Sequence, residues 1–153
     1  VIRTNFQNIE IVNEKYFYKI ENTYEVCKEM LTANPEIKGL YISWDRPTLE
    51  AIKALKELNR EDVSIFTFDL DNEIATYLAK EEMVKGLSTQ RPYQQGIAVG
   101  LATAKALLGK EHYKYIGVQP YVVESKNLLK AWKDIMLEPA PPEIEGIILS
   151  KFT

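Results

Sequence analysis

The chain has 153 residues, 46% of them hydrophobic and 27% charged, enough for one globular domain with a buried core. Its formal charge of −3 leaves no basic surplus to neutralise phosphates, so no nucleic-acid contact is expected from this segment. One cysteine, Cys27, and one histidine, His112, exclude an internal disulfide, a cysteine metal cage, a multi-histidine metal site and a histidine-based triad within the chain.

In chain order, the opening on Val1 rather than Met, with no visible leader, reads as a fragment of a longer polypeptide. β-Branched and aromatic runs predict strands over residues 8–12 (Ile9, Ile11, Val12), 37–42 (Ile37, Leu40, Tyr41, Ile42) and 63–68 (Val63, Ile65, Phe66, Phe68). Weaker strand patterns cover 84–89 and 114–123. Helical periodicity predicts helices over 20–33, 46–58, 73–82, 93–108 and 125–137. In the first of these, Ile20, Tyr24, Cys27 and Leu31 share a face, which makes Cys27 a small core residue. Asn34-Pro35 stops that helix, Asp45 is placed to cap the next, and Pro47 suits its first turn. Lys126, Lys130 and Lys133 align on one solvated helix face. Strict alternation of strands and helices implies a Rossmann-like α/β fold, a parallel sheet with right-handed crossovers and helices on both faces. From Glu138 the prolines Pro139, Pro141 and Pro142 predict an extended surface tail over 138–153, within which Ile147-Ile148-Leu149 is left open between a strand and disorder.

The helix 93–108 is unusual. Gly96, Ala98, Gly100, Ala102, Ala104 and Ala106 alternate with Ile97, Val99, Leu101, Leu107 and Leu108, so few of its sides are polar and it is expected to be covered nearly all round. Its glycines lie inside the helix and form no phosphate loop.

In open parallel sheets ligands bind beyond the carboxyl ends of the strands. Three predicted ends carry polar or aromatic groups: Ser43-Trp44-Asp45, Asp69-Leu70-Asp71-Asn72 and Gln90-Arg91-Pro92. Carboxylates, an amide and an indole on one rim suit a polyhydroxylated ligand, whose hydroxyls need partners and whose C–H faces stack on rings. Each residue also has a plain structural role open to it: Asp45 and Asp71 as helix caps, Asp69 as a turn former, Trp44 as half-buried packing. For Asp71 the cap is favoured. The run Asp69-x-Asp71-x-Glu73 begins like a calcium loop, but Ile74 stands where glycine is required and Lys80 where glutamate is. No nucleophile elbow, metal cluster or phosphate loop marks an enzyme, and no cofactor is expected.

The run Thr32-Ala33-Asn34-Pro35-Glu36-Ile37-Lys38-Gly39-Leu40-Tyr41 is followed by Asp45, Ala51-Ile52-Lys53-Ala54-Leu55 and Phe68-Asp69. Gln90-Arg91-Pro92-Tyr93-Gln94-Gln95-Gly96 and Asn127-Leu128-Leu129-Lys130-Ala131-Trp132 come later. In order and spacing these resemble the type I periplasmic sugar-binding protein family, ribose-binding-like, over residues 7–137. The resemblance implies one lobe, residues 1–137, of a two-lobed protein that closes on a small ligand such as a sugar, with no reaction. It implies that Asp69 and Gln90 hydrogen-bond ligand hydroxyls, that Tyr18 holds a ring against the ligand, and that Asp45 mixes ligand contact with capping. Trp44 stands where many members carry asparagine or another polar contact, replacing hydrogen bonding with stacking. Helix 93–108 would pack on a second lobe, and without that lobe the isolated segment is expected to be unstable, dimeric or domain-swapped. The implied role is the substrate-binding component of a sugar ABC transport system, working outside the cytoplasm with a membrane permease. The alternative is the effector-binding domain of a cytoplasmic lactose-repressor-like regulator. Against that alternative, Asp62-Val63-Ser64-Ile65-Phe66-Thr67-Phe68-Asp69 lacks the flanking residues typical of those repressors.

Overall fold

The computed structural model describes residues 2–111 and 113–152, so His112 lies outside the described residues. After a single turn, α1 (Ile2–Asn5), an irregular segment leads to α2 (Asn22–Ala33), which ends at Asn34 where the Asn34-Pro35 stop is. Then β1 (Gly39–Tyr41), α3 (Asp45–Glu57), β2 (Ser64–Phe68), α4 (Asn72–Lys80) and β3 (Val84–Thr89) follow in strict alternation. Next come α5 (Pro92–Leu107), β4 (Tyr121–Val123), a 3-10 turn at Ser125–Asn127, α6 (Leu128–Met136) and α7 (Pro142–Leu149).

The sheet order is β1-β2-β3-β4. β1, β2 and β3 are parallel, with Leu40 opposite Ile65 and Thr67 opposite Leu87. β4, however, runs antiparallel, with Thr89 opposite Tyr121, where alternation alone predicts a parallel strand. The reason lies in α5. A crossover to a parallel neighbour needs a helix that packs back on the sheet, and α5 buries none of its residues. The chain therefore returns from the end of β3 that it left.

The predicted strand over 8–12 does not form: these residues are irregular, with Ile9 and Val12 exposed. A strand exists only through its ladder partner, and β1, the nearest edge in sequence, pairs only with β2. The expected extended tail is also different. Pro142 opens α7, its missing N–H costing nothing in a first turn. Ile144 and Ile148, one helical turn apart, are buried as α7 packs on α4.

The core follows the sequence periodicity. Ala51, Ala54 and Leu55 of α3, Ile65 of β2 and Ile74, Ala75 and Ala79 of α4 are fully buried, each large side chain contributing about 1.5–3 kcal/mol by leaving water. α2 packs on α3, α3 on α4, and α4 on α6 and α7, so these helices form one layer over the face that carries Leu40, Ile65 and Thr67. On the opposite face Tyr41 is 71% and Phe66 49% exposed, so that half of the sheet is open there. Cys27 is in the core, where burial pushes its thiol up to about 11, which keeps it protonated and inert. No described helix is long and apolar enough to cross a membrane.

Candidate functional site

β2 ends in Phe68, and the next residue, Asp69, turns the chain with φ 69°, a left-handed conformation that aspartate tolerates better than most residues. Its N–H donates to the Ser88 carbonyl of β3 at 2.9 Å, which locks the turn to the neighbouring strand. β3 ends one residue before Gln90, whose Nε2 donates to Asp69 Oδ1 at 3.2 Å. Gln95 Nε2 in turn donates to Gln90 Oε1 at 3.4 Å, tying the pair to the first turns of α5. The structure thus brings Asp69 and Gln90 together.

At the end of β1, Trp44 holds an extended backbone just before α3, and the residue is 38% exposed. The indole packs against Phe17, with ring centroids 5.5 Å apart and planes tilted by 51°. Tyr18, its neighbour, is 98% exposed. The ring beside Trp44 is therefore one that sequence reasoning missed. The signal was the aromatic triplet Tyr16-Phe17-Tyr18, but which member turns inward depends on the irregular backbone before α2.

Asp45 opens α3 as its first residue and does not cap it. The capping position belongs to Trp44, and Asp45 Oδ1 accepts from the N–H of Arg46 at 2.7 Å. Asp71 is the cap of α4, its Oδ1 accepting from the Ile74 N–H at 2.8 Å. Burial raises the Asp71 carboxyl above its ordinary range; the nearby Asp45 charge adds to this, while the Ile74 N–H and Arg46 oppose it. Arg46 lies 3.7 Å from Glu73, so the starts of α3 and α4 form a charged border beside the strand ends. Arg91, next to Gln90, sets its guanidinium 6.0 Å from the Tyr121 ring, and Arg91 Nε and Gln94 Oε1 are buried without a hydrogen-bond partner among the described residues.

Together these groups make an open rim. Two clefts of about 490 and 440 Å³ lie elsewhere, one at the amino end of β3 beside Lys85 and Glu124, the other along α3 and α4 beside Lys56 and Tyr77. Neither takes in Asp69, Gln90 or Trp44. A rim with acceptors, an amide and a ring, but no enclosing wall, can hold one side of a polar ligand; enclosure requires a second surface.

Comparison with known proteins gives the following. Residues 1–111 match a family model described as a periplasmic binding protein domain. A search of curated proteins found no match. Among solved structures, the chain is similar to a carbohydrate transporter solute-binding protein of Agrobacterium radiobacter in complex with D-arabinose. The identity is 21% and the TM-score 0.73, covering 96% of this chain and 46% of that one. It is similar to a solute-binding protein of Agrobacterium vitis with bound D-fucose, at 20% identity and TM-score 0.75, covering 88% and 47%. It is also similar to a 5-methylthioribose transporter solute-binding protein of Thermotoga lettingae in complex with 5-methylthioribose. There the identity is 16% and the TM-score 0.72, covering 97% and 52%. The chain spans about half the length of these structures.

Proposed function

We propose that this chain, which belongs to the periplasmic binding protein domain family, is one lobe of a protein that binds a single sugar-like ligand between two lobes without reacting with it. The observation that carries this reading is the Asp69–Gln90 pair at the carboxyl ends of adjacent strands, with the Trp44 and Phe17 rings on the same rim. A carboxylate fixed by a backbone turn and an amide accept and donate to vicinal hydroxyls, while the indole offers a face to the sugar C–H groups. Asp45, next to Trp44, and Tyr18, 98% exposed, are proposed as further ligand contacts. The likeness to solute-binding proteins of ABC transporters supports export from the cytoplasm and delivery to a membrane permease.

The test is a titration of the full-length protein with D-arabinose, D-fucose and 5-methylthioribose, followed by tryptophan emission. A saturable change with at least one of them is expected, and Trp44→Ala removes most of it. Binding that leaves the Trp44 contribution unchanged removes Trp44 from the site.

The second lobe is proposed to cover α5, on which Ile97, Val99, Leu101 and Leu107 are 46%, 66%, 61% and 84% exposed. Apolar side chains this exposed on both sides of a helix are unusual on a soluble monomer and signal a partner surface. The 153-residue segment alone is therefore expected to self-associate through α5 in sedimentation, and Val99→Lys with Leu101→Glu to return it to monomer. A wild-type segment that sediments as a monomer at all concentrations contradicts this assignment of α5.

A further inference from the structure

Trp44 is tethered from behind. Its carbonyl accepts from the Thr48 hydroxyl at 2.7 Å and from the Thr48 N–H at 3.3 Å. The same Thr48 Oγ1 lies 2.7 Å from Thr67 Oγ1 of β2. Both threonines are in the core, at 0% and 2% exposure. A hydroxyl has one proton to give. Since that of Thr48 goes to the Trp44 carbonyl, the proton between the two threonines comes from Thr67. The alternative acceptor for Thr67, the Phe68 carbonyl, is farther away at 3.4 Å. The hydrogen bonds therefore run in one direction, from β2 through Thr67 and Thr48 to the backbone of Trp44.

Thr67 is two residues from Asp69 on the same strand. The chain of hydroxyls thus ties the Trp44 corner, at the end of β1, to the strand that carries Asp69. Trp44 as a residue is more than a third exposed, so burial alone does not fix it. We propose that Thr48 and Thr67 are positioning residues that set the indole of Trp44 against Asp69, and so tune which ligand the rim accepts. This rests on the sugar-binding reading above for its consequence, but the tether itself is testable without any ligand.

The experiment uses the full-length protein and takes Trp44 emission as the difference between each variant and the same variant carrying Trp44→Phe. Thr67→Val keeps the shape of the side chain and removes the donated proton. It is expected to raise acrylamide quenching of Trp44 and to weaken the sugar that binds best by about tenfold, the scale of one net hydrogen bond. Thr67→Ser, which restores the hydroxyl, is expected to return both readings to near wild type, which a packing role of the Thr67 methyl does not predict. A folded Thr67→Val protein with wild-type quenching overturns the proposal. Should Thr67→Val fail to fold, the wild type decides: a slowly exchanging Thr67 hydroxyl proton, with a cross-peak to Thr48 in NMR, supports the tether, and its absence overturns it. If no sugar binds the wild type, the sugar reading fails while the quenching comparison still judges the tether.

Discussion

Asp69→Asn in the full-length protein is expected to lower sugar affinity about 100-fold, within the range for removing a charged partner from a hydrogen-bonded site, with stability changed by no more than about 0.5 kcal/mol. The substitution is chosen for its backbone. Asp69 has a φ of 69°, and asparagine tolerates that conformation as well as aspartate does, so the turn after β2 and its N–H bond to Ser88 survive. What changes is the side chain. Gln90 Nε2 donates to Asp69 Oδ1, so an asparagine keeps that bond with its oxygen and turns its own amide protons toward the ligand, where a hydroxyl proton now meets a donor. Asp69→Ala would confuse this by adding backbone strain. Calorimetric titration beside a thermal melt separates the two effects; an affinity within threefold of wild type would remove the Asp69 carboxylate from ligand binding.

Ile65→Ala is expected to be strongly destabilising, costing about 3–4 kcal/mol and lowering Tm by roughly 10 °C. Ile65, the second residue of β2, is fully buried, opposite Leu40 on one side and Val84 on the other, with its N–H donating to the Met83 carbonyl at 2.7 Å. Removing its branched side chain leaves a cavity beneath the helix layer that α3 and α4, themselves lined with alanines there, cannot fill. The adjacent Phe66 makes the control. It faces the open side of the sheet at 49% exposure, so Phe66→Ala in the 153-residue segment is expected to cost less than about 1 kcal/mol, because little buried area is lost. Denaturant melts of the two variants test the layering directly. A Phe66→Ala cost equal to that of Ile65→Ala would mean that the open face is covered within this segment.

Much of this architecture was legible from residue patterns because it depends on local periodicity. α3 and α4 fall where their apolar spacing puts them, β1 and β2 where their β-branched and aromatic runs do, β3 on the weaker pattern at 84–89, and Asp71 caps α4 as its position suggests. The elements that differ are those whose conformation depends on distant partners. Residues 8–12 have strand-forming side chains but no ladder to join. β4 has strand character whichever way it runs, and its direction follows from the course of α5, which leaves the sheet. In the carboxy-terminal segment three prolines suggest extended chain, yet Pro142 starts a helix because Ile144 and Ile148 find α4 to pack on.

The rim shows the same division. That the strand ends carry Trp44, Asp69 and Gln90 is a matter of chain order. That Gln90 reaches Asp69 reflects the register of β2 with β3, in which Phe68 lies opposite Ser88 and β3 ends one residue further on. The left-handed turn at Asp69 and the threonine relay behind Trp44 have no signature in spacing, since any strand contains threonines and any turn contains aspartates. Phe17 was unreadable for a related reason: in an irregular segment there is no period to say which of three consecutive aromatic rings points inward.

The most direct test of the central claim is a crystal structure of the full-length protein grown with the sugar that binds it best. One sugar is expected between two lobes, with a hydroxyl within hydrogen-bond distance of both Asp69 and Gln90 and a ring face against Trp44. A sugar bound elsewhere, with the Asp69–Gln90 pair facing solvent in the closed protein, would contradict it.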